Sequence, residues 1–176
     1  NIPVARIQKV DITHAKGTHI IISKKTKTDK AFTLKQLTKN KELVSPVILS
    51  SIASSLQNLS FDDVLQKNNN KTFKKPVNIE FTTFNGLTIN VYVAQADKKS
   101  YLWLNAKSTK PTTTSLKKED VENKDKAPDP EAEAADINQR HSNWLYSIPT
   151  QKAELLTKQL KDLVKAKEKK AKAKSK

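Results

Sequence analysis

The chain has 176 residues, 33 Lys or Arg against 18 Asp or Glu, a formal charge of +15, 2 Gly, 7 Pro and neither Cys nor Met. Without cysteine there is no disulfide framework, thiolate metal site, iron–sulfur cluster or cysteine nucleophile, and two glycines can supply neither a G-x-G-x-x-G fingerprint nor, where they stand, a Walker-type phosphate loop. No apolar run approaches the roughly 18 residues of a membrane span, because the longest candidate, 47–59, is interrupted by four serines, a Gln and an Asn.

The opening Asn1-Ile2-Pro3-Val4 reads as the start of a processed protein or a fragment, with any signal or anchor segment lying upstream. Residues 4–12 predict a strand, because Ile7, Val10 and Ile12 alternate imperfectly with Arg6, Lys9 and Asp11 in a stretch dominated by β-branched residues. His14-Ala15-Lys16-Gly17 predicts a turn with Gly17 at positive φ, and 18–23 (THIIIS) pairs back as an antiparallel hairpin. A short third segment, 31–37, is anchored by Phe32, Leu34 and Leu37.

Ser45-Pro46 has the chemistry of a helix start. The serine can cap orphan N–H groups, and the proline loses nothing at the first helical position. Ile48, Leu49, Ile52, Ala53, Leu56 and Leu59 then build one apolar stripe. The stretch 59–64 is expected to end this helix and to tuck Phe61 and Val64 under the sheet, and 67–75 (KNNNKTFKK) reads as a loop. Asn85-Gly86 between alternating apolar runs, 77–84 and 87–94, predicts a two-residue hairpin, since both residues tolerate positive φ. A further turn at 96–100 leads to 101–106 (YLWLNA), completing a three-stranded meander.

Residues 107–130 offer almost nothing to bury and read as a flexible linker or long loop. Helical spacing returns over 131–147, and Ile148-Pro149 interrupts it. Thr150 is expected to cap a last amphipathic helix, 151–165, with Leu155, Leu156, Leu160, Leu163 and Val164 on its stripe. The tail from Lys165 holds seven Lys and one Glu, +6 of the +15, and reads as solvated, keeping the protein soluble or touching anionic lipid. The fold class is therefore α+β, antiparallel hairpin and meander sheets packed with a mid-chain helix and C-terminal helices. Its parts are a body over 1–106, the linker over 107–130, C-terminal helices over 131–165 and a basic disordered tail over 166–176.

Chemistry-bearing residues are sparse. His14 and His19 flank a turn and His141 lies far away in sequence, short of the three or four converging ligands a metal needs, so structural or surface roles are favoured. Asp62-Asp63 favours a turn or capping role over a shared proton. No serine stands in a G-x-S-x-G turn, and no enzyme is expected. Tyr92, Tyr101 and Trp103 can share one sheet face and form a stacking platform for single-stranded nucleic acid. Against that reading, Arg6 and Arg140 are the only arginines, and lysine gives phosphate attraction without bidentate readout. The densest cluster of unusual residues is His141-Ser142-Asn143-Trp144-Leu145-Tyr146-Ser147-Ile148-Pro149. Its plainer reading is a Trp anchor packing the C-terminal helices onto the sheet, and its functional reading is a docking surface for a protein partner.

The run Asn143-Trp144-Leu145-Tyr146-Ser147-Ile148-Pro149, with Lys152 and the leucines that follow, resembles the C-terminal ending of a bacterial domain-of-unknown-function family whose members occur with gliding-motility-type ABC transporter genes. Phe32-Thr33-Leu34 with 43–46, 56–64 (LQNLSFDDV) and 81–91 (FTTFNGLTINV) extend the likeness across nearly the whole chain except linker and tail. It covers the C-terminal half of that family only. The resemblance implies an upstream membrane anchor, an extracytoplasmic body on the periplasmic side of the bacterial inner membrane, and a part as a transporter auxiliary component. It brings no catalytic residues, metal or cofactor. The expectation is a non-enzymatic accessory or scaffold domain of an ABC-type transport or envelope system, binding protein through Trp144, Tyr146 and His141. The alternative is a basic single-stranded nucleic-acid-binding domain using Tyr92, Tyr101 and Trp103.

Overall fold

The computed structural model describes residues 1–67, 72–109 and 128–167. Its strands are β1 (Ile7–Thr13), β2 (His19–Ser23), β3 (Thr33–Leu34), β4 (Lys41–Leu43), β5 (Asp63–Gln66), β6 (Val77–Thr83), β7 (Leu87–Ala96), β8 (Lys99–Ser108), β9 (Trp144–Ile148) and β10 (Val164–Ala166). The α-helices are α1 (Ile48–Ala53), α2 (Pro130–His141), α3 (Thr150–Leu156) and α4 (Leu160–Leu163). Eight strands form one sheet in the order β3-β2-β1-β6-β7-β8-β9-β5, every pair antiparallel, while β4 and β10 pair separately. The α+β class expected from sequence is the class observed.

The central strands follow their alternation. Register places Val10 opposite Phe81, Phe81 opposite Ile89, and Val91 opposite Leu104, so one continuous apolar face runs across β1, β6, β7 and β8. Leu49, Ile52 and Ala53 of α1, Ala134 of α2, and Ala153 and Leu156 of α3 bury that face in a single core. Each fully buried Ile or Leu in it is worth about 1.5–3 kcal/mol.

Two turns differ from expectation in an instructive way. The β6–β7 connection is three residues, Phe84-Asn85-Gly86, and only Gly86 has positive φ, 92°. The Thr83 hydroxyl reaches the Leu87 carbonyl at 2.9 Å and closes the loop from inside. The two-residue turn with both positions left-handed lies instead between β7 and β8, at Asp97 (φ 52°) and Lys98 (φ 63°). Gly17, at φ 77°, takes the role expected of it.

The helices are shorter than their stripes. Ser51 Oγ bonds the Val47 carbonyl at 3.1 Å, and Ser54 and Ser55 both bond that of Ser51. Such back-bonding competes with the ladder and bends it, so α1 gives way to a 3-10 turn over Ser54–Leu56. Ser45 does not cap; Val47 is the N-cap and makes no side-chain bond. At the first strand, Val4–Arg6 is a 3-10 turn and β1 begins at Ile7.

The largest departure is at the C-terminal end. Helix α2 opens at Pro130 with the Asp129 carboxylate accepting from Ala132 N–H at 3.0 Å, a cap inside the stretch read as linker, and β8 runs on to Ser108. Past His141 the chain leaves the helix, and Trp144–Ile148, of which 144–147 were expected as helix, forms β9 between β8 and β5. The helical spacing of Trp144 and Leu145 is coincidental; β-prone side chains beside the free edge of Ser100–Leu102 decide the outcome. The segment 131–165 therefore supplies a strand to the body's sheet as well as helices. The last helix is likewise divided, into α3, α4 and β10, with Gln159 and Asp162 forming a capping box at the restart and Pro149, not Thr150, at the N-cap of α3. The expected linker over 110–127 and the tail over 168–176 lie outside the described residues.

Candidate functional site

Residues that leave α1, enter α2 and run along β9 meet on the helix-covered face of the sheet, around an apolar cavity of about 280 Å³. Ile89 and Leu104 form its floor, Leu56, Leu59 and Phe61 one wall, and Ile137 of α2 the other. Asn1, Ile2, Asn58, His141 and Tyr146 complete the lining, the ring Nδ1 of His141 lying 2.7 Å from the Tyr146 hydroxyl. Desolvation lowers the pKa of His141 below its ordinary 6.5, aided by the nearby terminal amine and Arg140, and raises that of Tyr146 above 10.0. Both groups are uncharged at neutral pH.

Helix α2 is held over this site by two devices. Arg6 and Glu133 form a two-pronged ion pair at 2.8 and 2.6 Å, tying the helix to the entry of β1. The Asn138 amide accepts from Ala106 N–H and donates to the Ala106 carbonyl, both at 2.8 Å. One side chain thus satisfies the stretch of β8 edge that the short β9 leaves unpaired.

Of the three expected docking residues, His141 and Tyr146 come together and Trp144 stands apart. Tyr146 is buried at 8% exposure, whereas Trp144 is 37% exposed and borders a separate hollow of about 340 Å³ with Gln66, Lys67 and Asn143. Trp144 is therefore not the anchor of the C-terminal helices; Tyr146 and Ile148 of β9 belong to the core that those helices cover. Phe61 and Val64 were expected beneath the sheet and are exposed at 51% and 39%, because 63–66 is the edge strand β5 rather than the end of a helix. Register sets Val64 opposite Tyr146 and Gln66 opposite Trp144, so Val64 and Trp144 are diagonal neighbours on one face. The Phe61 ring centroid lies 5.2 Å from that of Tyr146. Phe61, Val64 and Trp144 thus gather as exposed apolar side chains around Tyr146 at this edge. Nothing in the four-residue β5 announces this, since so short a strand shows no alternation.

Tyr92, Tyr101 and Trp103 do share the opposite face. Tyr92 and Trp103 are cross-strand partners whose rings stack at 5.5 Å and 10°. Phe73, from the stretch read only as a loop, packs on Trp103 at 5.0 Å and on Tyr101 at 5.6 Å, and Tyr101 is buried. A single aromatic in a run of Lys, Asn and Thr was the signal that could have placed it. Glu80 on the same face pairs with Lys9 at 3.3 Å and Lys107 at 3.5 Å.

The remaining candidates make hydrogen bonds within the fold. His14 Nε2 lies 3.1 Å from the Lys158 carbonyl, and His19 Nδ1 lies 3.2 Å from Asp11. The Asp63 carboxylate accepts from Val64 N–H at 2.8 Å, and Asp62 N–H donates to the Ser147 carbonyl. Among the described residues no group of three or more His, Asp or Glu is placed to hold a metal ion, and no helix is long and apolar enough to cross a membrane. Comparison with family models, curated proteins and solved structures finds no match.

Proposed function

We propose that this chain is a non-enzymatic, extracytoplasmic accessory domain of an ABC-type transport or envelope system, and that it acts by binding protein through the β5–β9 edge. The observation that carries the binding role is the gathering of exposed Phe61, Val64 and Trp144 at this edge. Large apolar side chains exposed side by side on a sheet edge mark an interaction surface, and Trp is among the residues that dominate interface energetics. The Asp63 carboxylate occupies the N–H of Val64, which favours recognition by side chains over simple strand addition. The transport setting rests on the family resemblance, which implies a membrane anchor upstream and a location on the periplasmic side of the inner membrane.

The test is recovery of partners from envelope extracts by wild type, Trp144→Ala and Phe61→Ala, with folding checked by circular dichroism. Transporter or envelope proteins recovered by wild type, and lost by both variants, are the expected result; equal recovery by folded variants refutes the docking role. The nucleic-acid reading is weaker because Phe73 already covers Trp103 and Tyr101, and Glu80 neutralises nearby lysines. Oligonucleotide titration at low salt, where phosphate attraction is strongest, is expected to leave Trp fluorescence unchanged.

A further inference from the structure

From the corner of the molecule where β4 meets β10, we propose that this protein rests on an anionic phospholipid surface. Lys39, Lys41, Lys161 and Lys167 meet the headgroups there, and Leu37, Val44 and Val47 enter the bilayer interface. The proposal rests neither on the family resemblance nor on docking through the β5–β9 edge.

Two stretches far apart in sequence build this corner. β4 and β10 pair with Glu42 opposite Lys165. The ladder is prolonged at both ends, Val44 N–H donating to the Leu163 carbonyl at 2.9 Å and Lys167 N–H to the Asn40 carbonyl at 3.0 Å. Residues 37–47 and 160–167 together hold five Lys and, as acids, Glu42 and Asp162 alone. Both carboxylates are engaged within the corner. Glu42 lies 3.1 Å from Lys165 Nζ, and Asp162 accepts from Gln159 N–H at 2.9 Å. The other four lysines are exposed, and among the described residues none is paired with a carboxylate.

The same corner leaves aliphatic side chains in water. Val47 is 65% exposed, Val44 52% and Leu37 39%, and along the chain they bracket Lys39 and Lys41. Membrane-surface binding grows with the apolar area buried at the headgroup boundary and with attraction between lysine and anionic lipid, and here the two sources are interleaved. A nucleic acid backbone would give these aliphatic groups nothing to bury against. Its recognition also favours arginine and aromatic rings. Both arginines are committed elsewhere, Arg6 to Glu133 and Arg140 to Asp136, and neither stretch contains an aromatic residue.

The probe is a vesicle of one part phosphatidylglycerol to two parts phosphatidylcholine, sedimented with the full chain at low salt. Binding is expected, with little to pure phosphatidylcholine. Each lysine near such a surface is worth about fivefold in affinity, so Lys39→Gln, Lys41→Gln and Lys161→Gln combined should weaken binding about a hundredfold, with folding checked by circular dichroism. Because the chain has no cysteine, Leu37→Cys, Val47→Cys and Phe61→Cys each accept a single environment-sensitive dye. Blue-shifted emission on the vesicles is expected from positions 37 and 47 and not from 61. Phe61→Ala should bind vesicles as wild type does, so loss of partner recovery and loss of vesicle binding separate the two readings. No sedimentation with the phosphatidylglycerol vesicles, undiminished binding by the folded triple variant, or a blue shift from position 61 alone overturns the proposal. So does an oligonucleotide that binds through these lysines while the vesicles do not.

Discussion

On one face of the eight-stranded sheet Ile79, Phe81, Val91 and Leu102 are sealed beneath α1, α2 and α3; on the other, Tyr92 and Trp103 stack half-exposed with Phe73 against them. The covered face is not uniformly filled, since a cavity remains between Ile89, Ile137 and Tyr146. The open face is apolar only where rings touch rings, and around them Glu80, Asp11 and their lysine partners keep it wet. Aromatic content alone would rank the open face as the binding surface. Packing reverses that order, since its rings already have partners while Phe61 and Trp144, on the covered side, are exposed at the edge.

This contrast can be broken most forcefully in the core. Phe81→Ala, at a fully buried position, should cost about 3–5 kcal/mol, and Trp103→Ala on the open face only about 1–2 kcal/mol; urea unfolding of both decides. A comparable loss at Trp103 would mean that the open face is a second core. Removing the clamp on α2 comes next. Glu133→Ala leaves Arg6 partly buried and unpaired, with an expected loss of about 2–3 kcal/mol, and Asn138→Ala strands the Ala106 N–H and carbonyl for about 1–3 kcal/mol. Hydrogen exchange at Ala106 should accelerate in Asn138→Ala while Tyr92 stays protected.

Titration sharpens the comparison further, because the half-buried His141 sits on the covered face. Above its ordinary value of 6.5, His141 is neutral in both folded and unfolded chains and its stabilising share is complete. As pH falls from there through the depressed folded value, the unfolded chain takes up the proton first and stability declines. His141→Gln should flatten that decline relative to wild type, read by urea unfolding across this pH range. Tyr146 acts in the opposite direction, the unfolded chain losing its proton first above pH 10.0, so stability falls as pH rises there. The smallest effect is a gain. Lys98→Gly relieves a left-handed residue in the β7–β8 turn and should stabilise both faces together by about 0.5–1 kcal/mol, read as a higher melting temperature.

Much of the open face could be read in the sequence, and little of the covered site. Tyr92, Tyr101 and Trp103 sit on long strands whose alternation fixes their side, and hairpin neighbours fix their register. The cavity walls come from 1–2, 56–61, 89, 104 and 137–146, joined only by long-range pairing, so no local pattern marks them. Strands β5, β9 and β10 have three to five residues each, too few for a period to emerge, and β9 takes its conformation from the edge it completes. The family resemblance pointed to 143–149 as a unit, and the structure divides that unit between buried Tyr146 and exposed Trp144.

Crosslinking in the protein's own cells, with a photoreactive phenylalanine placed in turn at Phe61 and at Tyr92, probes the two faces in one experiment. Adducts to transporter or envelope proteins from position 61, and none from position 92, are the result expected of a domain that docks through its β5–β9 edge. Nucleic-acid adducts from position 92, with position 61 silent, would contradict it and return the function to the open face.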